Sequence, residues 1–433
     1  PSTSSLFASA LPLSWSVSCR SVAAVALLAG ACSDDDGDDG GSGDTSTTVD
    51  VAAALGEPNP ASGEPVKIGL ITEGGSEAIG SQSELTEQGA RIAVEYANEY
   101  LGGIGGRPIE LVVCGNGATP AGAQDCANQM VENGVVAVTL PFTGFGASQA
   151  PIITGAGISY VTGSGNSAEE LTAPNAFALT GGYPGTLGAF AKHAQEHDVK
   201  RFAMVTIDVP SATQAAETLG GMVFKNAGVE YEVVAAPPGT PDLTPQVQSA
   251  VDGGADAIGV TGDVTFCTSF LQAYQTLALT ETKYVIAPCV DPTVIESLGD
   301  VLAGSWIATI TSNSGEDADI YSAIVDLYAP DEGIDADPNV SVGVAAGVGA
   351  VLNLVRAMDG LTGDVTKETV LAQMKAAKDV PLFLGGGQTF TCDGTAVPIM
   401  PNVCSAGFQM GTLTADGQIE DLEPVDASDL FKN

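Results

Sequence analysis

The pentapeptide His193-Ala194-Gln195-Glu196-His197 has a spacing that can do chemistry. On a helix, histidines four apart stand one turn apart, so both imidazoles can reach one zinc ion, with the intervening glutamate as base. The flanking Lys192, Asp198 and Lys200 read instead as the exposed end of a helix, and the chain has only these 2 histidines. A downstream glutamate would have to complete the donor set. A zinc hydrolase using His193 and His197 is thus the remote alternative, and neither a metal nor a cofactor is expected. Other catalytic patterns fail on spacing. Gly163-Ser164-Gly165 lacks the frame of a nucleophile elbow. The loop carrying Gly74, Gly75 and Gly80 has no Lys-Ser/Thr to cradle a phosphate. The acidic run from Asp34 to Asp39 fixes no calcium loop.

The cysteines read as covalent rather than catalytic. Arg20 precedes the apolar run Ser21–Ala31 and Cys32, as in an export signal, and Leu28-Ala29-Gly30-Ala31-Cys32 resembles a lipobox whose cysteine is lipidated. Plain signal-peptidase cleavage is the alternative. Of the 8 cysteines, Cys19 and Cys32 belong to this segment. The others fall as close pairs, Cys114 with Cys126, Cys267 with Cys289, and Cys392 with Cys404. Outside the cytoplasm such pairs persist as disulfides, and local pairing is the economical choice among the connectivities that six cysteines allow. Each bond contributes roughly 3 kcal/mol by closing a short loop. The absence of Cys-x-x-Cys spacing argues against a cysteine metal site.

The elements that must position these residues alternate from Val66 onward. Short apolar runs such as Val135–Leu140, Ile158–Val161 and Phe202–Ile207 read as strands buried on both faces, with helices between them. The pattern restarts after Gly181-Gly182-Tyr183-Pro184, which predicts two doubly wound α/β lobes. Expected helices include Ser211–Ala227 and Val340–Met358; the apolar run of the latter, interrupted by Asn353 and Arg356, is too short for a membrane span and reads as a core helix. Gly385–Cys392 and Ala406–Leu413 read as strands of the second lobe. With 53 acidic and 14 basic residues, a net charge of −39, the surface repels nucleic acid and anionic headgroups.

Val66–Val113 carries the most specific text. A strand leads into a helix with Leu85, Gly89, Ile92, Tyr96 and Tyr100 on one face, then a Gly102–Arg107 turn, then the strand Ile109–Val113. Gly89-Ala90-Arg91, Ala93, Glu95, Asn98 and the Gly-Gly-Ile-Gly-Gly-Arg turn resemble the opening of the branched-chain amino-acid class of ABC-transporter substrate-binding proteins, over about residues 65 to 415. The resemblance implies a type I periplasmic-binding-protein fold, with two Rossmann-like lobes joined by a multi-crossover hinge. The expected organisation is 1–32 as lipoprotein signal, 33–64 as an acidic, glycine-rich tether, 65–182 plus 311–385 as lobe I, 183–310 plus 386–415 as lobe II, and 416–433 as a C-terminal tail.

The resemblance further implies a ligand-binding lipoprotein, not an enzyme, that serves an ABC permease outside the cytoplasm and meets the membrane only through its lipid anchor. Its ligand would be a small amino acid or amino-acid-like polar metabolite. In the family, two loops of the first lobe hold the ligand's carboxylate and part of its amino group; the matching positions are Thr143, Ser164 and Asn166. An acid of the second lobe holds the amino group, for which Asp263 and Asp291 are candidates, although the aligned position is nearer Cys289. Each of these residues reads equally as a turn or helix cap. The tyrosine of the family's Asp-x-x-x-Tyr-Gly pattern is absent from Asp208–Thr213. A ligand-sensing receptor module of the same fold, for an amide, urea or short-chain acid, is the alternative.

Overall fold

Strands apolar on both faces need cover on each side, and the computed structural model, which describes residues 51–75 and 80–432, supplies it. β1 (Val66–Thr72), β2 (Ile109–Gly115), β3 (Ala137–Leu140), β4 (Ser159–Ser164) and β5 (Ala176–Thr180) form a parallel sheet in the order β2-β1-β3-β4-β5. Every residue of β3 and β5 is buried. A second sheet holds β6 (Arg201–Ile207), β7 (Glu230–Ala236), β8 (Ala257–Thr261), β9 (Thr282–Val285) and β10 (Trp306–Thr309). The small hairpin β11 (Val380–Pro381) and β12 (Thr389–Phe390) follows. Then β13 (Gly407–Leu413) and β14 (Ile419–Asp426) complete the second sheet as β14-β13-β10-β9-β8-β6-β7, the first two antiparallel. The fold is α/β with two doubly wound lobes.

Glycines set the core of the first lobe. The helices Gly80–Tyr100 and Val342–Ala357 cross so closely that a Cβ on Gly89 would lie 2.0 Å from the Val344 carbonyl oxygen, and one on Gly347 would lie 2.0 Å from that of Thr86. Val344, Val348 and Val351 are fully buried beside Leu70, Ala90 and Tyr321. The apolar helix is therefore a core element, and among the described residues no helix is long and apolar enough to cross a membrane.

Four expectations change. Residues beyond 415 are not a tail: β14 is the edge strand of the second sheet, and Phe431 is fully buried. Its sequence, Ile-Glu-Asp-Leu-Glu-Pro-Val-Asp, hides the strand because an edge tolerates acids and proline. Gly385–Cys392 is not a strand of the second lobe. Only Thr389–Phe390 pairs, with Val380–Pro381, and Phe390, Cys392 and Cys404 pack into the core of the first lobe. The boundary expected at 386 therefore falls too early. The helix expected over Ser211–Ala227 is interrupted by a π turn at Ala215–Gly220. The lipobox Cys32 and the tether up to 50 lie outside the described residues.

The three close cysteine pairs are bonded, Cys114–Cys126, Cys267–Cys289 and Cys392–Cys404. The first ties the end of β2 to the helix Pro120–Asn133, and the second ties the helix Val264–Thr276 to the turn after β9. The third closes the segment through which the chain returns to β13.

Candidate functional site

Parallel strands place their carboxyl ends on one edge of each sheet, and the loops there form the natural ligand crevice. The two edges meet where the chain crosses after β5. Gly182 has φ +55°, and a Cβ on it would come within 2.5 Å of the Gly165 carbonyl oxygen and 2.9 Å of Ser164 Oγ. The next residue, Tyr183, donates to Thr261 Oγ1 at the end of β8 (3.1 Å), and burial raises its phenol above the ordinary value. One dipeptide thus touches the β4 loop of the first lobe and the β8 end of the second.

Glu170 builds the β4 loop. It is fully buried and accepts from Asn166 N, Ser167 N and Ser167 Oγ at 3.0 Å each, and from Tyr160 Oη at 2.8 Å. Gln149 Nε2 donates to the same tyrosine oxygen. Ser167 and Glu170 form a capping box on the helix Ala168–Thr172. Burial pushes the Glu170 carboxyl above the usual range, while its hydrogen bonds oppose the rise. The sequence carried this signal as Ser-x-x-Glu, but the burial depends on Tyr160 and Gln149 from other elements. Glu170 leaves two neighbours open: Ser164 Oγ is half-buried, the Asn166 side chain is exposed, and neither has a hydrogen-bond partner among the described residues.

The β3 loop differs. Thr143 is buried; its hydroxyl donates to Glu73 Oε1 (3.2 Å) and accepts from Phe145 N (3.0 Å). Gly144 N also donates to Glu73 Oε1, at 2.9 Å. The carboxyl of Glu170 abuts Gly146, the first residue of the helix Gly146–Gly155. Two carboxylates therefore already stand at a helix N-terminus, where the backbone dipole favours negative charge. Sequence reasoning missed Glu73, which lies on a loop separated from Thr143 by 70 residues.

In the second lobe both candidate acids cap helices. Asp263 Oδ1 accepts from Phe266 N (2.8 Å), and Asp291 Oδ1 accepts from Thr293 N (2.9 Å) and Thr293 Oγ1 (2.5 Å). Asp263 Oδ2 has no partner among the described residues. Cys289 is fully buried and bonded to Cys267, so a cross-link occupies the position nearest the family's acid. A separate open groove of about 1010 Å³ is lined by Gly102, Gly103, Asp317 and Arg356. It runs from the turn before β2 to Gln409 of β13 and Leu422 and Pro424 of β14.

The histidine pair is not the exposed helix end that its flanks suggested. His197 is exposed, but His193 is fully buried, and Glu423 of β14 stands beside both. Burial, helped by His197, holds the His193 imidazole at about 3, so it is neutral at neutral pH.

The family described as periplasmic binding protein matches residues 65–403. No curated protein matches the sequence significantly. Among solved structures, the leucine-binding protein LivK from Thermotoga maritima is similar at TM-score 0.64 and 18% identity, over 83% of this chain and 99% of that one. The branched-chain amino-acid binding protein LivJ from Streptococcus pneumoniae, in complex with isoleucine, is similar at 0.63 and 18%, over 84% and 100%. A solute-binding protein from Rhodopseudomonas palustris, in complex with 3,4-dihydroxybenzoic acid, is similar at 0.62 and 16%, over 84% and 98%. One parallel and one mixed sheet, joined where the chain crosses at a glycine pair, and the family match over most of the chain lead to one assignment: the chain belongs to the periplasmic binding protein family, whose members are extracytoplasmic solute-binding proteins rather than enzymes.

Proposed function

We propose that the chain is the solute-binding component of an ABC importer, anchored outside the cytoplasm by lipid on Cys32. It takes a small amino acid or amino-acid-like polar metabolite between its lobes. One observation carries this reading: among the described residues, Ser164 Oγ and the Asn166 side chain have no hydrogen-bond partner at the carboxyl edge of the first sheet, against the Gly182 crossing. A ligand that docks there draws the second lobe over it by hinge closure, and the closed form engages the permease. Asp263, whose Oδ2 is unused among the described residues, is the second-lobe acid that takes the ligand's amino group on closure in this reading.

Glu73 divides the ligand classes. Its carboxylate occupies the Gly144 N–H and the hydroxyl of Thr143, a residue that the resemblance puts among those holding the ligand's carboxylate and amino group. A carboxylate-bearing solute must displace it, whereas an amide- or urea-like solute can bind beside it. A thermal-shift screen of parent and Glu73→Gln proteins against amino acids, amides, short-chain acids and urea-like compounds tests both points. A true ligand at 100 times its Kd stabilises by about 2.7 kcal/mol. Glu73→Gln strengthens the shift for a carboxylate ligand and weakens it for one that donates to Glu73. No shift from any compound in either protein overturns the solute-binding reading.

A further inference from the structure

His193 and the C-cap His197 lie at the far end of the helix Gly182–Glu196, roughly 16 Å and 22 Å along its axis from the Gly182 crossing at about 1.5 Å per residue. Their rings stack with centroids 3.9 Å apart. Glu423 Oε1 is 3.0 Å from His193 Nε2 and 3.2 Å from His197 Nε2, and the three donor atoms lie within 4.8 Å of one another. Donors about 2.0–2.1 Å from a tetrahedral zinc stand about 3.3 Å apart; the two nitrogen–oxygen separations are close to that edge, and the exposed His197 ring must turn out of the stack for both Nε2 lone pairs to face one ion.

A second observation distinguishes this cluster from an ordinary histidine–carboxylate contact. His193 Nδ1 is 2.8 Å from Tyr284 Oη. With Nδ1 donating to that oxygen, the lone pair is on Nε2. That nitrogen is buried and, among the described residues, has no hydrogen-bond partner; the Glu423 oxygen 3.0 Å away is not aligned for one. A buried, unpartnered imidazole nitrogen costs free energy unless something accepts its lone pair. The outer nitrogen held by a protein group is the usual arrangement around a metal-bound histidine. His197 and Glu423 are 44% and 42% exposed, so an ion can arrive from solvent.

We propose that His193, His197 and Glu423 form a binding site for zinc or a similar borderline divalent cation. The site takes three protein ligands and leaves one position for water. It is independent of the solute cleft, and it joins the helix Gly182–Glu196 to β14, the strand whose sequence reads as a tail. Glu196, the residue an inverted zinc-protease motif would use as base, is exposed and makes no hydrogen bond among the described residues; the role proposed is that of a structural clip. Because the donors converge only in the folded chain, metal stabilises the fold by linkage.

Chelator-treated full-length chain should be titrated with Zn²⁺ by calorimetry and with Co²⁺ by visible absorbance and tryptophan fluorescence. Trp306 lies 4.1 Å from the His193 ring, centroid to centroid, and reports an ion there. The expected result is one strong equivalent, a tetrahedral Co²⁺ spectrum, quenching of Trp306, and a raised Tm. His197→Ala and Glu423→Gln change exposed side chains, so the fold survives. Each should weaken binding at least about 100-fold, beyond the effect of an outer-shell partner, whereas Tyr284→Phe should weaken it about 10-fold. Equal zinc affinity in the parent and both exposed variants, as weak binding by surface carboxylates would give, overturns the proposal. So does the absence of a strong equivalent with Trp306 unmoved.

Discussion

At the carboxyl edge of the first sheet, Ser164 Oγ and the Asn166 side chain meet no hydrogen-bond partner among the described residues, while at that of the second sheet Asp263 and Asp291 are bonded to the helices they cap. Both lobes carry loops at the carboxyl ends of parallel strands, so the difference lies in how each loop is held. The β4 loop is held from beneath by a buried carboxylate, Glu170, which leaves its own polar side chains open. The loops of the second lobe are held by the candidate acids themselves and by the Cys267–Cys289 bond. Groups that shape a loop are costly to divert to a ligand. On the proposed function, the first lobe is the docking side and the second lobe contributes on closure.

Changes that break this asymmetry should rank by what they remove. Glu170→Ala strips four donors of their acceptor in a buried site and should cost roughly 3 kcal/mol, seen as a large fall in Tm, along with loss of ligand binding. Gly182→Ala places a Cβ against the Gly165 carbonyl oxygen at a positive φ and should cost roughly 1–3 kcal/mol, with weaker binding because the β4 loop must shift. Asp263→Ala removes a helix N-cap and should cost roughly 1 kcal/mol in denaturant melts, with at most a few-fold loss of affinity.

The smallest effect concerns pH. Glu170 has a raised pKa in the fold, so the native state keeps its proton to a higher pH than the unfolded chain does. Its contribution to stability is therefore full below the ordinary carboxylate pKa of about 4.3 and is lost as pH rises through the raised folded value. Subtracting the stability–pH curve of Glu170→Gln from that of the parent should leave a downward slope across that window. A flat difference would show that Glu170 titrates like an exposed acid.

Much of the scaffold was legible because several constraints had to agree at once. In Val66–Val113 the helix face, the glycine turn and the strand spacing fix one another, and Gly89 is the residue that lets the Val342–Ala357 helix approach. The site was less legible. The cap role of Asp263 follows from local sequence, but the tie from Glu73 to Thr143 spans 70 residues and leaves no local pattern. β14 was read as a tail because an edge strand need not be apolar. His193 was read as exposed because its cover, Tyr284, Trp306 and Glu423, comes from three distant strands.

The central claim, docking on the first lobe, is tested most directly by calorimetric titration of the strongest solute from the thermal screen into three proteins: the parent, Ser164→Ala with Asn166→Ala, and Asp263→Ala. The account predicts a loss of about 10-fold or more in the double variant, the equivalent of one or two hydrogen bonds, and a smaller loss in Asp263→Ala. Parent-level affinity in the double variant, with binding abolished by Asp263→Ala, would contradict it.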